Sequence, residues 1–197
     1  MKLIKEEKRF GFTHYKLSPQ SQKVFKSLFD PLKWINTPNL PFKSVPISTF
    51  KASVLDYSLD IDTIQDKTLD KKFKLWADKF VKENIHTLIS ASEFKISGVT
   101  AWNGSAGHDW HNDNDGRDFY KDDLTILIYH IPISLSKEDG GAICFKDTIT
   151  NNELCFIPED LDVLVIKLDK ESMKHKATPI KSSTKDRFTL SIGVQIL

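Results

Sequence analysis

From residue 94 onward the chain is a succession of short β-type runs separated by turn residues. No other feature constrains the fold as strongly. The runs are 94–102, 124–131, 142–145, 154–157, 163–168 and 188–196, and Asn103-Gly104, Asp115-Gly116 and Gly140-Gly141 punctuate them. Residues 94–197 carry almost no helical periodicity. Several short strands at this spacing predict a β-sandwich or barrel.

The first 93 residues read differently. A short strand is expected around Phe10–Tyr15. Ser18-Pro19 reads as N-cap and first helical residue, opening a helix that buries Val24, Phe25, Leu28 and Phe29 and stops before Pro31. Pro31, Pro38, Pro41 and Pro46 suit an extended segment wrapped over the surface, with Leu40, Phe42 and Val45 to bury. Leu69, Phe73, Trp76 and Phe80 recur at helical spacing, while Lys71, Lys72, Asp78 and Lys82 fall elsewhere on the wheel. Such an aromatic stripe is the face of a helix packed on a sheet. The expected organisation is one domain over 1–197, with 1–93 as helical and extended support and 94–197 as the β core.

Composition removes several function classes. With 28 basic and 27 acidic residues the net charge is +1, which leaves no basic face for a nucleic acid or an anionic membrane. No apolar run approaches the roughly 18 residues of a membrane span, and the stretch Met1–Lys8 has no apolar signal region. Cys144 and Cys155 are too few for a disulfide framework, so a reducing, cytoplasmic location is expected.

The chemistry concentrates in His108-Asp109-Trp110-His111-Asn112-Asp113. His111 and Asp113 are two residues apart, which on extended backbone directs both side chains to one face. His175, after the apolar run 163–168, is the candidate third ligand. Two His and one carboxylate leave the opposite face of a metal open, as non-haem Fe(II) requires. His108 lies three residues from His111, so the alternation predicts that it faces away. His14, His86 and His130 read as ordinary residues, His130 opposite in face to Tyr129.

In the last run Phe188, Leu190, Ile192 and Val194 make an apolar face, and Arg187, Thr189 and Ser191 a polar one. Two accounts stand. The polar face is solvated, as in any half-buried strand, or it lines a barrel mouth where the planar fork of Arg187 and a hydroxyl hold a carboxylate.

Taken in order, His111-Asn112-Asp113, then His175 62 residues on, then Arg187-Phe188-Thr189 12 further, resemble the Fe(II)- and 2-oxoglutarate-dependent dioxygenases. The run Thr125–Ile131 followed by Glu138–Phe145, with its Gly140-Gly141 pair, is similar to a segment of the prolyl-hydroxylase-like branch. The resemblance spans about residues 95–195. It implies a mainly β fold with N-terminal helices: a double-stranded β-helix, or jelly roll, of the cupin-like kind. It implies that His111, Asp113 and His175 ligate Fe(II). Arg187, assisted by Thr189 and Tyr129, would hold the distal carboxylate of 2-oxoglutarate, with O2 as oxidant. Trp102 stands near where that branch often has a tyrosine.

Two departures narrow the implied subclass. Halogenating relatives replace the carboxylate by a small residue, and Asp113 is present here, which favours hydroxylation or a related oxidation. Nucleic-acid demethylases of the family carry a second arginine where this chain has Gly193. The implied substrate is an amino acid, free or peptidyl, or a related small molecule. The charges of Asn114–Asp123, Arg117 among them, suit either a zwitterionic substrate or a solvated loop. Two other readings keep the fold: a cupin-like metal-dependent hydrolase or isomerase, and a non-catalytic jelly-roll binding domain.

Overall fold

The computed structural model describes residues 1–29, 34–36, 44–46, 67–88, 93–103, 107–114, 122–168 and 171–197. Their strands are β1 (Lys2–Glu7), β2 (Phe12–Lys16), β3 (Trp34–Asn36), β4 (Ser44–Pro46), β5 (Phe94–Asn103), β6 (His108–His111), β7 (Leu124–His130), β8 (Ile143–Asp147), β9 (Asn152–Phe156), β10 (Asp162–Lys167), β11 (Met173–Ala177) and β12 (Phe188–Ile196). Two helices, α1 (Pro19–Phe29) and α2 (Lys67–Leu88), lie between β2 and β5 in sequence. The strands form an eight-stranded sheet in the order β1-β2-β10-β7-β12-β5-β4-β3 and a four-stranded sheet in the order β6-β11-β8-β9. The pairings are antiparallel. The architecture is mainly β with N-terminal helices, a jelly roll. All six expected runs are strands, β2 overlaps the strand expected around Phe10–Tyr15, and β1, β3, β4, β6 and β11 are additions to them.

β7 lies between β10 and β12 in the large sheet and is buried on both faces. Ile126 and Ile128 join Val163, Val165, Leu190, Ile192 and the helices in one core; Leu127 and Tyr129 join Leu164, Ile143 and Phe145 in a second, between the sheets. That double burial is why the Thr125–Ile131 run is nearly all apolar instead of alternating.

The helices cover the outer face of the large sheet. In α1 the Ser18 hydroxyl accepts from the Ser21 amide at 3.4 Å, and Pro19 opens the helix. Phe25, Leu28 and Phe29 are buried, but Val24 is 51% exposed, contrary to the expectation. It sits about a quarter turn from the centre of the buried stripe, so the core does not reach it. In α2, Phe73 and Phe80 are buried and Trp76 packs partly buried, its ring 5.0 Å from those of Phe25 and Phe80. The Leu69 side chain, Leu40 and Phe42 lie outside the described residues, while the proline-rich stretch contributes β3 and β4 to the edge of the large sheet.

Cys144 and Cys155 face each other across β8 and β9 and form a disulfide with Cα atoms 4.1 Å apart. This corrects the reading of the cysteine count as a sign of a reducing compartment, since disulfides are rare in cytosolic proteins. Two cysteines 11 residues apart make no framework, but a tight hairpin brings them opposite one another. No described helix is long and apolar enough to cross a membrane.

Candidate metal centre

The small sheet brings His111, Asp113 and His175 together. His111 ends β6, His175 sits in β11 directly opposite it, and Asp113 follows in the turn after β6. The Nε2 atoms of His111 and His175 lie 3.3 and 3.6 Å from the same Asp113 oxygen, Oδ1. One ligand atom from each residue falls within 4.8 Å of the others. Asn112 builds the turn that aims Asp113 inward. Its side-chain amide donates to the Met173 carbonyl at 3.1 Å, at the start of β11, and its Oδ1 accepts from the Asn114 amide at 2.9 Å.

The electrostatics suit a cation. Burial alone would raise the Asp113 carboxyl, but the neighbouring charge of His175, the hydrogen bond and charge of His111, and Thr125 hold it well below the usual carboxylate range. Its second oxygen, Oδ2, is buried without a hydrogen-bond partner. His111 Nδ1 lies 2.8 Å from the Asp109 carbonyl, which can only accept, so this nitrogen carries the proton and Nε2 keeps its lone pair for a ligand. Two imidazole nitrogens and one carboxylate, whose second oxygen is buried without a hydrogen-bond partner, are a donor set that fits a divalent transition metal.

Beside the triad lies a cavity lined by His108, Leu127, Tyr129, His175, Arg187 and Thr189, among others. Arg187, just before β12, is 1% exposed, and its Nη1 donates to the Gly141 carbonyl at 2.7 Å. Gly140 and Gly141 both have φ +78°, and a Cβ on Gly140 would stand 2.4 Å from the Pro179 carbonyl oxygen, so the pair favours glycine at this approach. Thr189 is buried and faces Tyr129 across β12 and β7. The Tyr129 hydroxyl is buried without a hydrogen-bond partner. Burial pushes the Tyr129 phenol up and the Arg187 guanidinium down; the Tyr129–Arg187 interaction works against burial in both. The polar face of β12 therefore turns into the molecule, not into water. Of the two accounts given by the sequence, the structure favours the lined cavity.

His108 departs from the alternation. Its ring centroid lies 4.5 Å from that of His111, and it lines the same cavity. The cause is a β-bulge. His111 pairs with His175 and His108 with Ala177, so three steps along β6 match two along β11. The extra residue returns His108 to the side of His111. Gly107 makes this possible: at φ +74° a Cβ would stand 2.5 Å from the Ala177 carbonyl oxygen. A glycine before a histidine was the available signal, and spacing alone hid it.

The remaining histidines are structural. His14 Nε2 lies 3.1 Å from Asp162, and His130 Nδ1 lies 3.0 Å from Asp160 on the face of β7 opposite to Tyr129. His86 is exposed in the last turn of α2. The Trp102 side chain and residues 115–121, Arg117 included, lie outside the described residues. At Gly193 a Cβ would come within 2.5 Å of Ser97 and Asp122 side-chain oxygens, so a larger residue there would have to displace both.

The chain shares its fold with solved oxygenases. A 2OG-Fe(II) oxygenase-family oxidoreductase from Burkholderia pseudomallei superposes with a TM-score of 0.64 at 11% identity, covering 95% of this chain and 85% of that one. The fold is that of the 2OG-Fe(II) oxygenases. HygX from Streptomyces hygroscopicus, solved with nickel and 2-oxoglutarate bound, gives a TM-score of 0.57 at 11% identity over 94% and 83% of the two chains. A Trichoplax adhaerens prolyl hydroxylase in complex with a hypoxia-inducible-factor peptide gives 0.56 at 14% identity over 96% and 85%. No family model and no curated protein matches the sequence.

Proposed function

We propose that the chain is an Fe(II)- and 2-oxoglutarate-dependent dioxygenase that hydroxylates an unactivated C–H bond. The observation that carries this reading is the cluster of His111, Asp113 and His175 donors beside a cavity that His175 lines together with the buried guanidinium of Arg187. A metal site alone suits many reactions. A metal site beside a buried arginine, with a phenol and a hydroxyl next to it, suits a cosubstrate that chelates at one end and carries an anion at the other.

In this reading His111 and His175 would present Nε2 lone pairs to the iron, and Asp113 would add negative charge and the third donor, an oxygen. Arg187 receives the distal carboxylate in its planar fork, exchanging its bond to the Gly141 carbonyl for a charge-assisted pair. Tyr129, a neutral phenol whose hydroxyl has no other partner, donates to the same carboxylate, with Thr189 beside it. Fe(II), 2-oxoglutarate and O2 supply the oxidation when bound, yielding succinate, CO2 and a hydroxylated product. Apolar walls from Leu127 and Ile143 keep water from the paired charges. The whole chain acts as one catalytic domain, with residues 1–93 buttressing the β core. The substrate class is an amino acid, free or peptidyl, or a related small molecule; the peptide bound to the Trichoplax neighbour supports keeping the peptidyl case. A net charge of +1 supports no nucleic-acid partner.

The test joins metal and cosubstrate. Elemental analysis after Fe(II) loading should find one iron per chain in the parent and little in His111→Ala, Asp113→Ala or His175→Ala. Arg187→Ala should retain iron and lose about 3–5 kcal/mol of 2-oxoglutarate binding, a hundredfold or more. Arg187→Lys should recover part of it. A screen of amino acids and peptides for succinate release then names the substrate. Parental 2-oxoglutarate affinity in Arg187→Ala would overturn the reading in favour of a metal-dependent hydrolase or isomerase.

A further inference from the structure

His108 has no place in the triad, yet it sits against it. Its Nδ1 lies 3.3 Å from His111 Nδ1, its ring stands edge-on to His175 with centroids 6.5 Å apart, and it lines the cavity that holds Arg187, Tyr129 and Thr189. A bulge and a glycine that no side chain could replace bring it there.

The hydrogen-bond chain fixes which of its nitrogens carries the proton. The Asp109 carbonyl accepts from His111 Nδ1, so that nitrogen is N–H and has no in-plane lone pair to offer. His108 Nδ1, facing the same N–H, is therefore the acceptor of the contact. The one proton of a neutral imidazole must then be on His108 Nε2. Nε2–H lies across the ring from His111, on a side chain that lines the cavity.

We propose that His108 is a cosubstrate-binding residue: its Nε2–H donates a hydrogen bond to an oxygen at the 2-oxo-acid end of bound 2-oxoglutarate, while Arg187 holds the far carboxylate. This rests on the dioxygenase reading above and adds a contact at the end of the cosubstrate nearer the metal. One side chain thereby serves two partners. Its Nδ1 accepts from the ligand His111, and its Nε2–H orients the molecule that chelates beside it.

Calorimetric titration of Mn(II)-loaded protein tests this without turnover. Two ligands are used: 2-oxoglutarate, and pyruvate, which has the 2-oxo-acid end and lacks the distal carboxylate. His108→Phe, which keeps a flat ring and removes both nitrogens, should weaken both ligands about tenfold, with Mn(II) affinity within about threefold of the parent. His108→Gln, whose side-chain amide can donate, should restore most of the affinity. Arg187→Lys should weaken 2-oxoglutarate and leave pyruvate unchanged. The inference fails, and the dioxygenase reading survives, if His108→Phe binds both ligands like the parent while Arg187→Lys does not. It also fails if His108→Phe loses Mn(II) as strongly as His111→Ala, which would make His108 a support of the metal site only. If neither His108→Phe nor Arg187→Lys alters 2-oxoglutarate binding, the dioxygenase reading falls with it.

Discussion

β7 and β10 in the large sheet carry Val, Ile and Leu on both faces, whereas β6 and β11 in the small sheet read His-Asp-Trp-His and Met-Lys-His-Lys-Ala. The first pair is buried between the helices and the opposing sheet. The second has a partly buried inner face of imidazoles and an outer face where Lys176 lies 4.4 Å over the Trp110 ring. The metal donors and most of the apolar burial are thus assigned to different sheets, while Tyr129 and Thr189 reach the cavity from the large one. The small sheet can carry histidines that would be costly in a core because the large sheet supplies the apolar burial.

Five substitutions separate or blur these assignments. The largest effect is expected at Ile192, fully buried against Ile126 in the large sheet. Ile192→Ala should cost about 2–5 kcal/mol in urea unfolding and leave metal affinity within about threefold. Asp113→Asn should do the reverse, removing metal binding while changing metal-free stability by less than about 1 kcal/mol. A metal-free Asp113→Asn protein as unstable as Ile192→Ala would show that the triad also holds the fold.

Next comes the Cys144–Cys155 disulfide, which closes a short loop between β8 and β9. Cys155→Ser should lower stability by about 2–3 kcal/mol, and thermal unfolding measures it. A loss near zero would mean that the small sheet needs no staple.

Asp160 gives a smaller effect with a pH signature. It accepts from His130 at 3.0 Å and the Ile131 amide at 2.9 Å, and pairs with Lys26 at 2.7 Å, tying α1 to the end of β7. Burial works against ionisation, but these three partners outweigh it and lower the carboxyl to about 2. A depressed folded-state pKa contributes stability above the unfolded value, near 4, that is lost as pH falls through about 2. Asp160→Asn should therefore cost about 1–2 kcal/mol at pH 7, and the gap from the parent should close toward pH 2. A gap independent of pH would assign the effect to packing. The smallest change is Lys176→Ala, about 0.5 kcal/mol for the contact with Trp110, measured by denaturant midpoint.

The large sheet was legible in the sequence because its burial is written as apolar runs. Four of the six runs are β5, β7, β10 and β12 of the large sheet, and the other two are β8 and β9 of the small one. β6 and β11 have no such runs, since their inner faces are His111 and His175, so hydrophobic pattern could not report them as strands. The order and spacing of those same polar residues did report them as a site. Arg187 and Thr189 were ambiguous for a related reason: a polar face looks the same in sequence whether it meets water or a lined cavity, and only the opposing Tyr129 and Gly141 decide it. His108 was misplaced because a bulge breaks the two-residue period, and one extra residue reverses every face after it. Cys144 and Cys155 were misread because a hairpin partner is a matter of register, not of count.

The disulfide has a consequence at the bench. Ferrous enzymes are kept active with reductants, and small thiols are a common choice. A thiolate reaches Cys155, which is exposed, more readily than the buried Cys144, and exchange there would remove the covalent link across the β8–β9 hairpin. Ile143 and Phe145 flank Cys144 in the same strand, and Ile143 lines the cavity. Ascorbate keeps iron ferrous without thiol exchange, so the reductant chosen for the assay buffer also chooses which form of the protein is assayed.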